Sequence, residues 1–271
     1  MSMMKIRFGS WNVNHRKLRQ AHLDILLDAQ VHLLACQEVS ASFHAALDAS
    51  GLFDWSVSSL DLRPPEPDEG RARRLGCSLF GRGDLSLIDA SLLPDLVFPE
   101  RALVAKVRAG DSPFTACCFH APPGANWGVV KPQTLVKIAE WLSEREGSSI
   151  VGIDANCPKF EHLDITQNEW WWADEPKLLG PSPIHAMKDA FRIHLSQQPQ
   201  ELEGIIKQRP NGPLAVSHVR GNSRKRTECR YDFVYISDDI GVKQVRYDFG
   251  NQVRASSDHA LVLADLVVPV S

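Results

Sequence analysis

Six short polar groups of residues lie in order along the chain, each where a strand-like run ends. They are Trp11-Asn12-Val13-Asn14, Gln37-Glu38, His120, Asp154-Ala155-Asn156, Tyr231-Asp232 and Ser257-Asp258-His259. The set supplies carboxylates for a hard cation, amides to hold phosphate oxygens, and two histidines with a carboxylate to orient one of them. Phosphoryl transfer is the chemistry that uses such a combination, because it is catalysed mainly by positioning and by compensating negative charge.

Each group has its own logic. Glu38 closes the apolar run Val31-His32-Leu33-Leu34-Ala35-Cys36, so its carboxylate needs a partner to avoid a large desolvation cost. A Mg²⁺ ion would be one such partner and a capped turn would be another. Asp154 and Asn156 are two apart and share a face of an extended backbone with Ile150 and Gly152. A carboxylate beside a carboxamide can orient a water while the amide donates to a phosphate oxygen. An Asx-turn before Pro158 is the alternative at this position. His259 stands at the mouth of the apolar run Ala260-Leu261-Val262-Leu263, with Asp232 as a candidate partner for tautomer and charge. His120 ends another apolar strand and faces a Pro-Pro-Gly turn. Arg220, Arg224, Lys225, Arg226 and Arg230 form a basic run before Asp232 that is either a solvated loop or a phosphate contact. Trp170-Trp171-Trp172 cannot all face one core, so at least one is expected at the surface or an interface, where it could stack on a base.

The elements that must carry these groups can be read from periodicity. The strand from Lys5 to Val13 puts Ile6, Phe8, Ser10 and Asn12 on one face. A helix follows with Leu23, Leu26 and Leu27 in its stripe. Further strands are expected at Gly76 to Phe80, Ala102 to Val107, Phe114 to Phe119, Ser148 to Asp154, Asp232 to Ile236 and Ala260 to Val268. Pro132 suits the first turn of a helix whose stripe is Leu135, Ile138, Ala139 and Leu142, with Gly147 past its C-cap. Leu60 to Arg74 reads as a surface loop. Residues 157–226 read as an irregular insertion with one helix through Met187, Phe191 and Leu195. Strands with interspersed helices predict a single α/β domain over residues 1–271, a four-layer sandwich of two packed mixed β-sheets flanked by helices.

Composition bounds the rest. The 271 residues are 44% hydrophobic and 23% charged, the balance of a soluble globular chain. A net charge of −3 gives no global attraction to nucleic acid, so such binding would need local basic patches. There is no run of roughly 18 apolar residues and no signal-like start, which predicts a cytoplasmic protein without membrane insertion. The six cysteines contain no C-x-x-C pair, which argues against a zinc site or a disulfide framework.

With these residues in order, the chain resembles the endonuclease/exonuclease/phosphatase superfamily from Trp11 to His259. Gly76-Cys77-Ser78-Leu79-Phe80-Gly81-Arg82 resembles another strand of that family, and coverage is weakest over the insertion. The resemblance implies that Asn12 and Glu38 hold a Mg²⁺ or Mn²⁺ ion, with Asp258 as a further ligand, direct or through water. It implies that Asp154 activates the attacking water, that Asn156 holds the scissile phosphate, and that His259, oriented by Asp232, stabilises charge. His120 would steady or protonate the leaving oxygen. Asn14, Arg224, Arg226 and Arg230 are the expected substrate contacts. Three departures stand out: Ile153 where many members have glycine, Asn14 where some nucleases have aspartate, and Ala121-Pro122-Pro123-Gly124 after His120. The expected substrate is DNA, cut by endonuclease or exonuclease action; a nucleotide, inositol phosphate or phospholipid head group is the alternative.

Overall fold

The computed structural model describes residues 2–167, 174–222 and 225–270. Two six-stranded sheets form its centre. In chain order the strands are β1 (Ser2–Asn12), β2 (Leu33–Val39), β3 (Trp55–Ser58), β4 (Gly76–Gly81), β5 (Leu85–Leu92), β6 (Ala102–Ala109) and β7 (Ser112–His120). They continue with β8 (Ser149–Asp154), β9 (Lys188–Asp189), β10 (His218–Asn222), β11 (Lys225–Cys229), β12 (Asp232–Ile236), β13 (Gly241–Asp248) and β14 (Leu261–Val270). The first sheet has the order β13-β14-β1-β2-β4-β3 and the second β5-β6-β7-β8-β12-β9, while β10 and β11 make a separate hairpin. Each large sheet is mixed: β1 runs parallel to β2 and β7 parallel to β8, among antiparallel neighbours.

The two-residue period of β1 explains the packing. Ile6 and Phe8 face the second sheet, where they meet Ala105, Ala116, Cys118 and Ile150 in a core buried between the sheets. Trp11 points the other way, into a cluster with Ile25, Leu26, Phe43 and Leu47 from the helices Gln20–Ala29 and Ala41–Asp48. The opposite outer face, with Phe119, Val151 and Ile153, is covered by Leu135, Ile138 and Leu142 of the helix Val130–Ser143. The result is helix, sheet, sheet, helix, the four layers expected.

Close approach of the sheets near the site demands a small residue. A Cβ on Gly152 would stand 2.7 Å from Ser10 Oγ and 3.1 Å from the Cβ of Ala35. No larger side chain fits there without separating β8 from β1, so Gly152 sets the distance across which Asp154, two residues on, reaches the first sheet.

Several local expectations are corrected. Leu27 is 51% exposed, and the buried stripe of its helix is His22, Ile25, Leu26 and Ala29. The helix Val130–Ser143 is C-capped by Glu144, and Gly147 (φ 83°) turns the chain three residues later. Met187 precedes the helix Ala190–Ser196, whose N-cap is Asp189, so only Phe191 and Leu195 are in its apolar stripe. Residues 60–74 include a short helix, Ser59–Leu62, and a 3-10 turn, Arg71–Arg74. The insertion is more regular than its composition suggests: it holds a second helix, Pro199–Gln208, and the β10–β11 hairpin that carries the basic run. All six cysteines are free and buried, and among the described residues no helix is long and apolar enough to cross a membrane. Trp170, Trp171 and Trp172, like Arg224, lie outside the described residues.

Candidate active site

Strand register assembles the site. His120, Asp154 and Asp232 are direct neighbours across β7, β8 and β12, forming one row at the end of the second sheet. Asn12 pairs with Gln37 at the corresponding end of the first sheet. The rows meet where Asn12 Nδ2 donates to Asp154 Oδ2 at 2.8 Å. His259 precedes β14 and is tied to the same rim by Trp11 Nε1, which donates to its carbonyl at 3.3 Å. Ser257 Oγ donates to the Asn12 carbonyl and accepts from the His259 amide, joining the last group to the first.

Asp154 is the focus. Its Oδ1 accepts from the Asn156 backbone N–H at 2.9 Å. Its Oδ2 faces Asn12 Nδ2 at 2.8 Å, Asn156 Nδ2 at 3.3 Å, His120 Nε2 at 3.7 Å and His259 Nε2 at 4.0 Å. Burial pushes the Asp154 carboxyl up to about 7, with the Asp232 charge adding to it and His259 and the Asn12 amide opposing. A buried carboxyl poised near neutrality among two amides and two imidazoles suits a general base.

His259 has the opposite character. Burial alone would disfavour its charge, but Asp232 Oδ2 at 2.8 Å from Nδ1, together with Asp154, pushes it up to about 10. The two carboxylates thus favour the imidazolium form, with Nε2 4.0 Å from Asp154 Oδ2, a cationic donor of the kind suited to holding an oxyanion. The remaining oxygen of Asp232, Oδ1, is buried without a hydrogen-bond partner among the described residues.

His120 is neutral and its tautomer follows from chemistry. Arg101 Nη1 can only donate, and it lies 3.3 Å from His120 Nδ1. Asn156 Nδ2 lies 3.4 Å from Nε2 but has its two hydrogens directed to the Ala121 carbonyl and Asp154 Oδ2, so the Arg101 contact decides and places the ring proton on Nε2, which faces Glu38 Oε1 at 3.5 Å. Burial holds the ring's proton affinity well down, and the Arg101 and His259 charges reinforce this. In this form His120 offers a neutral N–H donor at the rim.

Glu38 stands out by its backbone. It has φ 56°, and the β2–β4 ladder slips between Cys36 and Val39, a bulge that lifts Gln37 and Glu38 out of register. Of the six non-glycine residues with positive φ among the described residues, four are at this rim: Asn14, His15, Glu38 and Asn156. Such strain, of order 1–3 kcal/mol each, persists where the surroundings impose it and gathers at functional sites. The Glu38 side chain is 22% exposed and its other oxygen, Oε2, lies 3.2 Å from His15 Nδ1.

The expected ligands offer oxygen. Asn12 Oδ1 accepts from the Asn14 N–H, which leaves it a lone pair, and Asp258 is exposed at the mouth. Among the described residues, two groups of Asp and His side chains have ligand atoms within 4.8 Å of one another, Asp154–Asp232–His259 and His218–Asp258–His259. Glu38 belongs to neither; the side chains beside it are His15 and His120.

One expected substrate contact is overturned. Arg230 is fully buried: Nη1 meets Glu161 Oε1 at 2.9 Å, Nη2 meets Asp189 Oδ1 at 2.7 Å, and Nε donates to the Tyr247 hydroxyl at 2.8 Å. Tyr247 in turn donates to the Asp232 carbonyl at 2.8 Å. A guanidinium with every face engaged cannot reach a substrate, so Arg230 is a brace for Asp232. Arg230→Met should cost about 3–5 kcal/mol by leaving buried carboxylates unpaired. Urea unfolding measures that loss. Arg226 is exposed on β11 and Arg220 half-buried on β10. Asn14 is half-buried beside Asn12.

Residues outside the sequence reading complete the rim. Arg101 sets the His120 tautomer; its signal was a charged Glu100-Arg101 pair just before an apolar strand. His218 pairs with His259 through an isolated antiparallel bridge, its ring tilted against that of His259 at 4.6 Å between centroids and stacked on the Tyr231 ring at 5.6 Å. Ser217 Oγ accepts from the Tyr231 and Asp232 amides at 2.8 and 3.1 Å. No local pattern marks a Ser-His pair of this kind.

Two packed mixed sheets with one polar rim define the class, a four-layer α/β sandwich with its site at the strand ends. The chain has the fold of the endonuclease/exonuclease/phosphatase superfamily. TDP2 of D. rerio, complexed with a single-strand DNA product, superposes with a TM-score of 0.68 at 12% identity, covering 97% of this chain and 98% of that one. An endonuclease/exonuclease/phosphatase from Bacteroides vulgatus gives 0.59 at 17% identity, covering 97% and 98%. ANGEL2, described as a 2',3'-cyclic phosphatase, gives 0.59 at 14% identity, covering 99% and 96%. No family model and no curated protein matches the sequence itself.

Proposed function

We propose that this chain is a Mg²⁺- or Mn²⁺-dependent phosphodiesterase that hydrolyses DNA. The observation that carries this reading is the convergence on Asp154 Oδ2 of two amides and two imidazoles from four separate stretches of chain. Asn12, Glu38 and Asp258 would hold the cation, whose role is to neutralise charge developing on the phosphate. Hard oxygen donors fit such an ion, and the orphaned Asp232 Oδ1 is consistent with further positive charge at the rim. Asp154 takes a proton from water directed at phosphorus. His259 and the Asn156 amide hold non-bridging oxygens, and His120 Nε2–H donates to the departing oxygen.

DNA is favoured by the likeness to TDP2 with its single-strand DNA product and by Arg220 and Arg226 on the hairpin above His259. Withdrawal of Arg230 from the basic run favours a second reading, a smaller phosphate ester. Hydrolysis of DNA, RNA, nucleotides and phosphorylated small molecules, each with and without Mg²⁺ or Mn²⁺, separates the two. The DNA reading expects metal-dependent cleavage of oligonucleotides that weakens steeply with salt. Activity confined to small esters and indifferent to salt would replace it.

The cation can be tested without turnover. Mn²⁺ or Mg²⁺ at 100 times Kd should stabilise the fold by about 2.7 kcal/mol. Glu38→Gln should abolish most of that thermal shift, and an unchanged shift would remove Glu38 from the cation site.

A further inference from the structure

The helix Val130–Ser143 begins with a cation where its dipole disfavours one. Lys131 lies in the first turn, a placement that costs an exposed cation about 0.3–1 kcal/mol. It is nevertheless buried, at 5% exposure. Helix stability therefore does not account for it, and its contacts do.

Lys131 Nζ donates to the Asn156 carbonyl at 2.8 Å and lies 3.0 Å from Glu175 Oε1. Glu175 has no exposure, and its carboxylate oxygens have no well-aligned hydrogen bond among the described residues. The ion pair with Lys131 is thus its compensation. Lys131 thus links a buried carboxylate to one backbone carbonyl.

That carbonyl belongs to the residue whose conformation matters most. Asn156 is held at φ 51°, which turns the chain so that its N–H reaches Asp154 Oδ1 while its side-chain amide reaches Asp154 Oδ2 and the Ala121 carbonyl. Asparagine enters the left-handed region more readily than most residues but still prefers negative φ, so without an anchor on its carbonyl the peptide is free to turn and take the amide away from Asp154.

We propose that Lys131, neutralised by Glu175, is a positioning residue that locks Asn156 in its left-handed turn and so aims the amide at the phosphate. The inference rests on the catalytic reading of Asp154 and Asn156. Lys131 touches no reacting atom; it acts through the Asn156 peptide.

Lys131→Met alone would strand the Glu175 charge and could prevent folding. The informative variant is the double Lys131→Met, Glu175→Leu, in which an apolar pair of similar volume replaces the ion pair. It should fold with a thermal midpoint near that of wild type, because such replacements of buried pairs are often neutral. Its kcat should fall about 10- to 100-fold through misplacement of the amide, while KM and the Mn²⁺ thermal shift stay unchanged. Lys131→Arg, which keeps a donor to the carbonyl, should recover most of the rate. A crystal structure of the double variant should show Asn156 away from positive φ. Wild-type kcat with Asn156 still at positive φ would overturn the clamp. A wild-type protein without phosphoesterase activity would instead sink the underlying function, and the Asn156 conformation in the double variant would then decide the clamp by itself.

Discussion

Asp154→Asn should lower kcat by about 10²- to 10⁴-fold, the range for loss of a positioned general base, while the protein stays folded. An amide keeps the size of the side chain and still accepts from the Asn156 N–H. It presents an NH₂ to the Asn12 amide where the carboxylate presented an oxygen. That mismatch costs about 1–3 kcal/mol. Against it, the variant no longer has to bury a carboxylate that desolvation has pushed up to about 7. The two effects oppose each other, so the thermal midpoint should move by only a few degrees. A second signature is kinetic. Asp154 must be ionised to take a proton, so the wild-type rate should rise with pH through about 7 and level off above it, at a position shifted downward by any bound cation. Residual activity of Asp154→Asn should lack this limb. A rate within tenfold of wild type at saturating metal would show that Asp154 is not the base.

The legible part of this molecule was the part written in strand periodicity. Asn12, His120, Asp154 and Asp232 each end or begin a strand, and alternation gives the face of each, so their meeting followed once the sheets were packed, whereas Glu38 is turned by a bulge that alternation does not foresee. Gly152-Ile153-Asp154 illustrates this: the spacing that puts Gly152 and Asp154 on one face also explains why the sheets approach there. What stayed hidden depends on contacts between distant segments. The basic run looked uniform along the sequence, but β11 ends at Cys229 and the next residue turns inward onto Glu161 and Asp189. A charge run does not reveal which member acquires buried partners. Arg101, Lys131 and His218 were missed for the same reason, since each is defined by a group 19 to 41 residues away in sequence. Helix Gln20–Ala29 shows the limit of composition: three leucines suggested the stripe, yet Leu27 faces solvent and His22 is buried against Trp11 and Phe43.

Asp232→Asn should displace the pH profile rather than simply lower it. In the wild type the imidazolium of His259 is held by Asp232 at 2.8 Å and by Asp154 at 4.0 Å, which offset the cost of burial and push its pKa up to about 10. Activity that depends on this positive charge persists at neutral pH and falls as His259 loses its proton near that value. Removing the Asp232 charge deletes the largest influence raising His259, so the alkaline limb should move to lower pH. The same charge also raises Asp154, so the acid limb should move in that direction too. The whole bell therefore shifts toward acid, with a rate at pH 6 close to wild type and a deficit that widens toward pH 9. His259→Gln, which removes the charge outright, should cost about 10²- to 10³-fold at every pH, as deletion of an oxyanion-stabilising donor does. Measuring kcat from pH 5 to 10 for the three proteins separates electrostatic tuning from a purely structural role. If Asp232 merely supported the fold, Asp232→Asn would scale the profile down without moving either limb.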